Sequence, residues 1–310
     1  MLQLKQNFKS LLDLLIALPT EQDCIDYLEK VVWNDRLVSP FDPSSQVYKC
    51  ANNKYKCKNT GKYFTIKSGT VFRNSKMPLQ KWLWALYIFS THKKGISSCQ
   101  LAKDISVTQK SAWFMLHRLR FTFKISEFET MLKDLVEIDE AFIGGKNKNR
   151  HWNKKIPNSQ GRSWKDKTPV LGMLERGGNL IAQVVSDTRQ NTLEPAIRAN
   201  IKKGSNIYTD EWYRHSNLCK TFNHQIVNHS VKQYVKGKSK ISTNAIENFW
   251  SHLKRGVNGI YHWISKKHAP KYVDEFTLRF NTRRHHERER FDLLLSSVAG
   301  KNLTYQQLIN

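Results

Sequence analysis

From residue 135 onwards the sequence alternates strand patterns with helix patterns, and this order constrains the fold more than any other feature. The segment "LVEIDEAFIGG" at 135–145 predicts a strand, and "TPVLGMLERGGNLIAQVVSD" at 168–187 predicts a hairpin that turns at Gly177 and Gly178. A helix is predicted in "TLEPAIRANIKKG", and two further strands in "NIYTDEW" and "QIVNHSV". Strand, hairpin, helix, strand and helix in this order are typical of an α/β domain.

Two of these predicted strands have an aspartate directly after their apolar residues. Asp139 follows "LVEI", and Asp210 follows "NIYT". Burying a carboxylate costs free energy unless it is paired or binds a metal ion. Glu247 lies in "TNAIENFWSHLKRG", whose apolar residues recur at helical spacing. The pattern therefore allows a cluster of three carboxylates, although a chain with 26 acidic residues contains many such triples by chance.

Glu247 also has an ordinary structural interpretation. Asn244 precedes it by three residues, and this spacing resembles a capping box, in which the glutamate accepts a hydrogen bond from the backbone at the helix start. An isolated glutamate on the polar face of a helix is more often structural than catalytic. The local pattern leaves both interpretations open.

The charge of the chain indicates a polyanionic partner. The sequence has 51 lysine and arginine residues against 26 aspartate and glutamate residues, a formal net charge of +25. Neutralising phosphates releases condensed counterions, so nucleic acid is the natural partner, and a basic protein that merely stays soluble is the alternative. No apolar run approaches the ~18 residues that span a bilayer. The five cysteines form no C-x-x-C pair, which predicts a reducing, cytoplasmic environment.

Residues 97–123, "SSCQLAKDISVTQKSAWFMLHRLRFTF", carry a helix-turn-helix pattern. Ala102 supplies a small residue where two steeply crossing helices touch, and Ser106 stands at the turn position that glycine often fills. With the net charge, this pattern favours DNA binding over a plain helical hairpin. The residues predicted to contact DNA open the second helix: Gln109, Lys110 and Ser111.

A second candidate DNA-binding region is the basic loop 144–167, with eight lysine and arginine residues, one acidic residue and two tryptophans. Such a composition suits contact with phosphates and stacking on unpaired bases. A solvated insertion without a binding role is the alternative. The predicted contact residues in this loop and at the end of the Glu247 helix are Lys146, Lys148, Arg150, Lys154, Lys155, Lys254 and Arg255.

Several segments spread over nearly the whole chain match one known family in the same order. They are "LPTEQDCIDYLEKVVW", "SGTVFRNSKMPLQKW", "VEIDEAFIGGK", "YTDEWY", "TNAIENFWSHLKRGVNGIYHWISKKH" and "YVDEFTLRFNTR". In these segments the sequence resembles the ISXO-type bacterial insertion-sequence transposases, which have a ribonuclease-H-like DDE catalytic domain of the retroviral-integrase type.

The resemblance implies a role for each of the three acids. Asp139, Asp210 and Glu247 would be the catalytic residues and would hold two Mg²⁺ ions, with Mn²⁺ able to replace them. The implied activity is cleavage at the transposon ends followed by strand transfer into target DNA. Double-stranded DNA is then the partner, a homodimer on DNA is expected, and the protein is expected in the bacterial cytoplasm with the nucleoid. Rival functions are a structure-selective nuclease on the same fold and a catalytically inactive DNA-binding regulator.

The sequence departs from the family in two places. The family has an N-terminal zinc ribbon of paired cysteines, but the four corresponding positions here are Ser39, Asp42, Cys57 and Thr60. One possible ligand of four remains, so the β module is predicted to persist without zinc. Many relatives also have histidine before the Thr-Asn pair at 243–244, where this chain has Ser242.

The predicted architecture is a multidomain α+β protein, in which a helical, ribbon-like and helix-turn-helix region precedes an α/β ribonuclease-H-like catalytic domain. The predicted boundaries are 1–80 for the helices and the ribbon-like module, 81–130 for the helix-turn-helix region, 131–295 for the catalytic domain with its insertion 144–167, and 296–310 for a C-terminal tail.

Overall fold

A computed structural model describes residues 8–34, 36–125, 128, 130–145, 147–149, 151–157, 163, 167–210, 217–227 and 242–309. The protein contains helices and two β-sheets, as expected for a mixed α and β protein. The chain divides into two compact units, of which the first comprises Met1–Phe123 and Arg284–Asn310 and the second Lys124–Arg283.

The helices and strands follow the predicted order. The helices are α1 Leu11–Ala17, α2 Glu21–Trp33, α3 Leu79–Thr91, α4 Ser98–Asp104, α5 Gln109–Phe121, α6 Gln190–Asn200, α7 Asn244–Gly256, α8 Ala269–Asn281, α9 Glu287–Ser296 and α10 Tyr305–Ile309. The strands are β1 Val47–Cys50, β2 Lys54–Cys57, β3 Tyr63–Phe64, β4 Leu135–Ile143, β5 Thr168–Glu175, β6 Leu180–Val184, β7 Asn206–Thr209 and β8 Asn223–Ile226. Within the described residues, no helix is long and apolar enough to cross a membrane.

In the first unit, α9 packs on helices that lie far from it in sequence. The Phe291 ring contacts the rings of Phe8 and Tyr87, with centroids 6.4 and 5.7 Å away. Arg290 Nη1 donates a hydrogen bond to the Ser90 carbonyl at 2.9 Å. Helix α9 therefore belongs to the first unit, whereas the sequence pattern predicted that the catalytic domain extends to residue 295.

The predicted helix pair of residues 97–123 is present as α4 and α5. Ala102 and Ala112 are buried where the two helices meet. Ser106 lies in the turn with φ +51°, a left-handed conformation that explains why glycine is common at this position. The α5 residues Arg118 and Arg120 are buried, so the exposed surface of this helix is concentrated at its N-terminal end.

The first unit also contains a three-stranded antiparallel sheet in the order β1-β2-β3. The turn between β1 and β2 holds Asn52 and Asn53 at φ +57° and +54°, which asparagine tolerates better than most residues. One face of the sheet is buried. Its core comprises Tyr55, Cys57 and Phe64, with Trp33 and Val47 packed against them.

The second unit is built on a five-stranded sheet in the order β6-β5-β4-β7-β8. Strands β4, β5 and β6 are antiparallel, while β7 pairs parallel with β4 and β8 pairs parallel with β7. Val136 and Ile138 face a core that includes α6. Ala141 and Ile143 face the opposite side, where α7 and α8 pack. Because side chains alternate along a strand, Glu137 and Asp139 also face α7.

Two predicted elements differ in extent from the structure. The strand predicted from "QIVNHSV" is β8, which begins earlier at Asn223, and residues 228–231 of the predicted segment lie outside the described residues. The helix predicted over "YVDEFTLRFNTRRHHERERF" is two helices, because α8 ends at Asn281 and α9 begins at Glu287. The cationic residues 283 and 284 lie between them.

Candidate active site

Asp139 lies in the central strand of the five-stranded sheet and is bound by a tryptophan of α7. The indole Nε1 of Trp250 donates a hydrogen bond to Asp139 Oδ2 at 3.0 Å. Trp250 is itself 4% exposed and belongs to the core between the sheet and α7. This contact fixes the orientation of the carboxylate and links β4 directly to the helix that carries Glu247.

The close approach of α7 depends on a glycine in the neighbouring strand. Gly172 of β5 pairs with Asp139 in the register of the sheet. A Cβ added at Gly172 would lie 2.6 Å from Trp250 Cζ2 and 2.9 Å from Ile246 Cδ1, closer than real Cβ contacts. Glycine is therefore required here because α7 packs against the bare backbone. Gly172 and Trp250 were not among the predicted site residues.

Burial raises the pKa of Asp139 to about 6, and the negative charges of Asp210 and Glu247 act in the same direction. Hydrogen bonds from the Glu140 backbone amide and the Trp250 indole oppose this rise. The three acids that the sequence singled out are thus close enough in space for two of them to influence the titration of the third.

The parallel pairing of β7 with β4 brings Asp210 close to Asp139. Glu137 pairs with Tyr208, and continuing that register brings Asp210 level with Asp139 on the adjacent strand. Asp210 is half-buried at the carboxyl end of β7. Glu247 is exposed in the first turn of α7, where its Oε1 accepts a hydrogen bond from Thr243 Oγ1 at 3.1 Å.

The capping-box interpretation of Glu247 is wrong. The N-cap residue of α7 is Thr243, and its side chain makes no capping hydrogen bond to the helix backbone. The first amides of the helix are bound instead by Glu137 of β4, whose Oε2 accepts hydrogen bonds from Ala245 N at 2.9 Å and Ile246 N at 3.0 Å. Glu137, which is distant in sequence, therefore caps the helix in place of Glu247, and the Glu247 carboxylate lies at the surface.

Arg176 links the three segments that carry the acids. It lies just after β5, in the hairpin turn, and donates hydrogen bonds from Nε and Nη2 to Glu137 Oε1 at 2.9 and 2.6 Å. Its Nη2 also contacts the carbonyl and the hydroxyl of Ser242, at 3.0 and 3.2 Å. Its guanidinium lies over the Tyr208 ring, 5.4 Å from the centroid. Glu137, Tyr208 and Ser242 lie respectively two, two and five residues before the three acids.

The donor set suits a hard divalent cation in its chemistry. Carboxylate oxygens are the ligands that Mg²⁺ and Mn²⁺ prefer, and a cation beside Asp139 would favour the charged form that burial disfavours. In the part of the chain that the structure describes, no group of three or more His, Cys, Asp or Glu residues is arranged to hold a metal ion. The fold thus brings the acids to one end of the sheet, but within the described residues they do not form a metal site with three ligands.

Comparison with known proteins gives the family. Residues 131–281 match the ISXO2-like transposase domain. A protein of Haemophilus influenzae, described as an uncharacterized transposase-like protein, is 35% identical over 99 residues, which cover 32% of this chain and 77% of the relative. The chain belongs to the ISXO2-like transposase family. An uncharacterized protein in transposable element ISH50 of Halobacterium salinarum is 24% identical over 276 residues, covering 84% of this chain and 90% of the relative.

In this ISXO2-like transposase the structure shows what Ser242 contacts. Ser242 is 8% exposed, and both its carbonyl and its hydroxyl lie within hydrogen-bond distance of Arg176. Ser242 therefore belongs to the same hydrogen-bond network in which Arg176 binds Glu137.

Of the predicted DNA-contacting residues, those at the start of α5 are exposed or half-buried. Gln109 Nε2 donates to Ser98 Oγ at 2.8 Å, and Lys110 Nζ lies 5.4 Å from the centroid of the Tyr305 ring. Ser111 N donates to the N-cap residue Thr108 at 3.2 Å. The structure places these residues at the open end of the helix and leaves their role in DNA binding as a prediction.

The other predicted DNA-contacting residues lie in the second unit. Lys154 and Lys155 are exposed near the short helical turn Trp152–Lys154, where Trp152 is 86% exposed. Lys254 and Arg255 are exposed in the last turn of α7, and Arg255 Nη2 donates to Ser251 Oγ at 2.7 Å. The positions outside the described residues are Lys146, Arg150 and the side chain of Lys148.

Two of the positions predicted to replace zinc ligands, Ser39 and Thr60, form hydrogen bonds at the sulfur of Cys57. Burial by itself raises the pKa of the Cys57 thiol, but hydrogen bonds involving Ser39, Ser45 and Thr60 outweigh it and lower the pKa to about 6. The amides of Phe41 and Asp42 donate to Ser39 Oγ at 3.2 and 3.4 Å. Asp42 Oδ2 accepts a hydrogen bond from Asn59 Nδ2 at 2.8 Å.

Proposed function

We propose that this ISXO2-like transposase cleaves the DNA ends of its insertion sequence and joins them to target DNA, with Asp139, Asp210 and Glu247 as the catalytic acids. The observation that carries the proposal is the convergence of three segments, because Asp139 lies in β4, Asp210 directly follows the adjacent parallel strand β7, and Glu247 lies on the helix that contacts both Glu137 and Asp139. The family independently implies that DNA is the partner.

The sheet supports a ribonuclease-H-like fold for the second unit. Its three antiparallel strands are followed by two parallel strands, in the order β6-β5-β4-β7-β8, with helices on both faces. The first proposed acid lies in the central strand, and the second lies at the end of its parallel neighbour. Ligands in open α/β sheets bind outside the carboxyl ends of such strands.

The proposed reaction has two phosphoryl-transfer steps. A water oxygen first attacks the phosphorus at the transposon end, and the bond to the 3′ oxygen breaks to leave a free 3′ hydroxyl. That hydroxyl then attacks a phosphodiester of the target, forming one P–O bond as another breaks. Two Mg²⁺ ions held by Asp139, Asp210 and Glu247 would supply Lewis-acid stabilisation of the attacking and leaving oxygens. The chain's own contribution is to hold the three carboxylates, with Asp139 oriented by Trp250 and the start of α7 bound by Glu137.

The proposal includes recognition of the element's terminal inverted repeats by α4 and α5. The N-terminal residues of a second helix in such a pair commonly reach base edges in the major groove. Gln109, Lys110 and Ser111 occupy this end of α5, and a homodimer is expected because two DNA ends must be joined. We also place the protein with the nucleoid in the bacterial cytoplasm.

The test uses duplex DNA carrying the inverted repeats that flank the gene. Asp139→Asn and Glu247→Gln are expected to abolish Mg²⁺-dependent end cleavage and to leave binding of the same duplex largely intact. Glu140→Gln is the matched control, since it neutralises the adjacent carboxylate on the same strand, and it is expected to retain cleavage. Full cleavage by either test variant would overturn the assignment of the acids.

Two rivals are separated by further readouts. A structure-selective nuclease would cut the ends without joining them, so a strand-transfer assay distinguishes it from a transposase. A DNA-binding regulator without activity would bind the ends and cut nothing, and calorimetric titration with Mg²⁺ would detect no binding that depends on Asp139. The presence of all three acids weighs against the inactive regulator, and the strand-transfer assay alone separates the nuclease from the transposase.

A further inference from the structure

The outer face of the three-stranded sheet in the first unit carries a row of tyrosine and lysine side chains, all of them exposed except the half-buried Lys56. Tyr48 of β1 pairs with Lys56 of β2, and Lys56 pairs with Tyr63 of β3, so these three residues share one face. Tyr48 is 44% exposed and Tyr63 is 59% exposed. Since the opposite face forms the core of the sheet, fold stability does not account for the two exposed rings.

The geometry of the row is suited to a chain-like ligand. Neighbouring strands lie about 4.8 Å apart, so the backbones beneath Tyr48 and Tyr63 are about 10 Å apart. Lys56 lies between them, with its Nζ 5.6 Å from the centroid of the Tyr63 ring. Lys54, two residues before Lys56 and therefore on the same face, is exposed. Single exposed aromatics are ordinary on protein surfaces, but two rings that flank a lysine in register are a more specific arrangement.

The segment that contains this face has positively charged residues and no negatively charged ones over a long stretch of sequence. Residues 43–103 contain 12 lysine and arginine residues and no aspartate or glutamate. Within the described residues, Lys49, Lys54, Lys56, Lys58 and Lys62 form no salt bridge. Two carboxylates of α2 already have hydrogen-bond partners other than these lysines. Glu29 accepts a hydrogen bond from the Tyr55 hydroxyl, and Glu21 binds the backbone amides of residues 79 and 80.

We propose that the face formed by Tyr48, Lys54, Lys56 and Tyr63 binds an unpaired DNA strand, with phosphates at the two lysines and bases stacked on the two tyrosine rings. A duplex would satisfy the lysines but would offer its bases no open faces for the rings, so the tyrosines select an unpaired strand. The inference rests on the proposed function in one respect, namely that DNA is the partner. It adds a further DNA site, separate in sequence from α4 and α5 and from the basic loop 144–167, that would engage a frayed or nicked end.

The test compares two probes by fluorescence anisotropy, a short blunt duplex and the same duplex with a single-stranded tail. The wild-type protein is expected to bind the tailed probe more tightly. Tyr48→Ala combined with Tyr63→Ala is expected to weaken binding of the tailed probe by roughly tenfold or more, and to leave the blunt probe nearly unaffected. Tyr48→Phe combined with Tyr63→Phe keeps the stacking surface and is expected to restore the preference for the tail.

The lysines are tested by salt dependence. Lys54→Gln combined with Lys56→Gln is expected to reduce the slope of log K against log salt for the tailed probe by roughly 0.7 per lost phosphate contact. The matched control for charge is Lys202→Gln combined with Lys203→Gln, an exposed pair in the second unit. The control for an exposed ring is Trp263→Ala, at a residue that is 68% exposed. Both controls are expected to keep the preference for the tailed probe.

Each result has a defined meaning. If the protein binds both probes equally and the paired alanine substitutions change neither affinity, this inference is overturned while the proposed function stands. If the alanine substitutions alter self-association measured by sedimentation and not DNA affinity, the face is an interface between copies and the inference is equally overturned. If the wild-type protein binds no DNA at all, the proposed function fails with it.

Discussion

Arg176 donates two hydrogen bonds to the carboxylate of Glu137, and Glu137 in turn accepts hydrogen bonds from backbone amides in the first turn of α7. Glu137 is fully buried, so the ion pair stabilises the fold mainly by avoiding an uncompensated charge. The pair also has a positional consequence, because it fixes the start of the helix that carries Glu247 relative to the strand that carries Asp139.

We predict that Glu137→Gln reduces end cleavage more than its loss of stability explains. Removing one partner of a buried ion pair typically costs about 3–5 kcal/mol, and here it also frees the start of α7. Glu275→Gln is the control, because Glu275 is equally buried and is paired with Arg279 at 2.9 Å without contacting α7 amides. Single-turnover cleavage rates and thermal unfolding would be measured on both variants under conditions in which each is folded.

Both glutamine variants are expected to have lower unfolding temperatures, but only Glu137→Gln is expected to lower the cleavage rate of the folded protein. Arg176→Lys should have an intermediate effect, since lysine keeps the charge and loses the two-nitrogen contact. Equal rates for Glu137→Gln and Glu275→Gln would show that the ion pair only stabilises the fold.

Gly172→Ala is predicted to displace Trp250 and with it the helix α7. The added methyl group would overlap the indole ring and the Ile246 side chain, and overpacking of a dense core typically costs about 1–3 kcal/mol. The near-ultraviolet circular dichroism of the tryptophans should change, and end cleavage should fall. Gly259→Ala is the control because nothing lies within 4 Å of the added Cβ. If Gly172→Ala is as stable and active as this control, the close approach of α7 has no functional role.

Asp139→Asn is predicted to stabilise the metal-free protein at neutral pH. The pKa of Asp139 is about 6 in the folded protein against an ordinary 3.8, so the folded state holds this proton more tightly than the unfolded state does. Asp139 therefore lowers stability progressively as pH rises from about 4 to about 6, by on the order of 3 kcal/mol at most above that window. Asparagine removes this penalty and can still accept the Trp250 hydrogen bond.

Thermal unfolding in the presence of a chelator, between pH 4 and pH 7, would measure the effect. The difference in unfolding temperature between Asp139→Asn and the wild type should grow with pH over this range. Asp187→Asn supplies a control of opposite sign, because hydrogen bonds, first of all from the Arg189 amide, lower the pKa of Asp187. A pH-independent difference for Asp139→Asn would contradict the prediction.

The purified protein is predicted to contain much less than one zinc ion per chain. Ser39 and Thr60 present hydroxyl groups to the Cys57 sulfur, at positions that the sequence resemblance predicted to replace zinc ligands, and hydroxyls are poor ligands for zinc. Replacing Ser39, Asp42 and Thr60 together by cysteine should create a site that binds zinc stoichiometrically. Elemental analysis checks both statements, and stoichiometric zinc in the wild-type protein would refute the first.

Much of the fold follows from patterns that the sequence displays locally. Thr20 caps the helix α2 and Asp23 completes a capping box, a signal contained within four consecutive residues of the sequence. The turn at Gly177, with φ +81°, is likewise determined by its own residues. The sequence singled out Asp139 and Asp210 because each directly follows the apolar residues of a predicted strand, and burial of a carboxylate is rare enough to be informative.

The contacts that organise the candidate site could not be predicted from local sequence patterns, because they join residues that are distant in sequence. Glu137 caps a helix that begins more than one hundred residues later, and Arg176 reaches Ser242 across 66 positions. A short-range capping signal at Asn244 and Glu247 was present and misleading, since tertiary contacts supplied the cap. A glycine inside an apolar strand, such as Gly172, was the available signal that another element approaches the backbone closely.

The first unit is interrupted by the whole of the second, because the chain leaves it at Phe123 and returns at Arg284. During synthesis on the ribosome, the aromatic ring of Phe291 emerges only after every residue of the second unit has been made. The core of the first unit therefore stays incomplete and partly exposed until residues 284–310 have been synthesised, whereas the second unit can fold before then. A nascent chain arrested before residue 284 should consequently be far more dependent on chaperones at its N-terminal end than at its growing end.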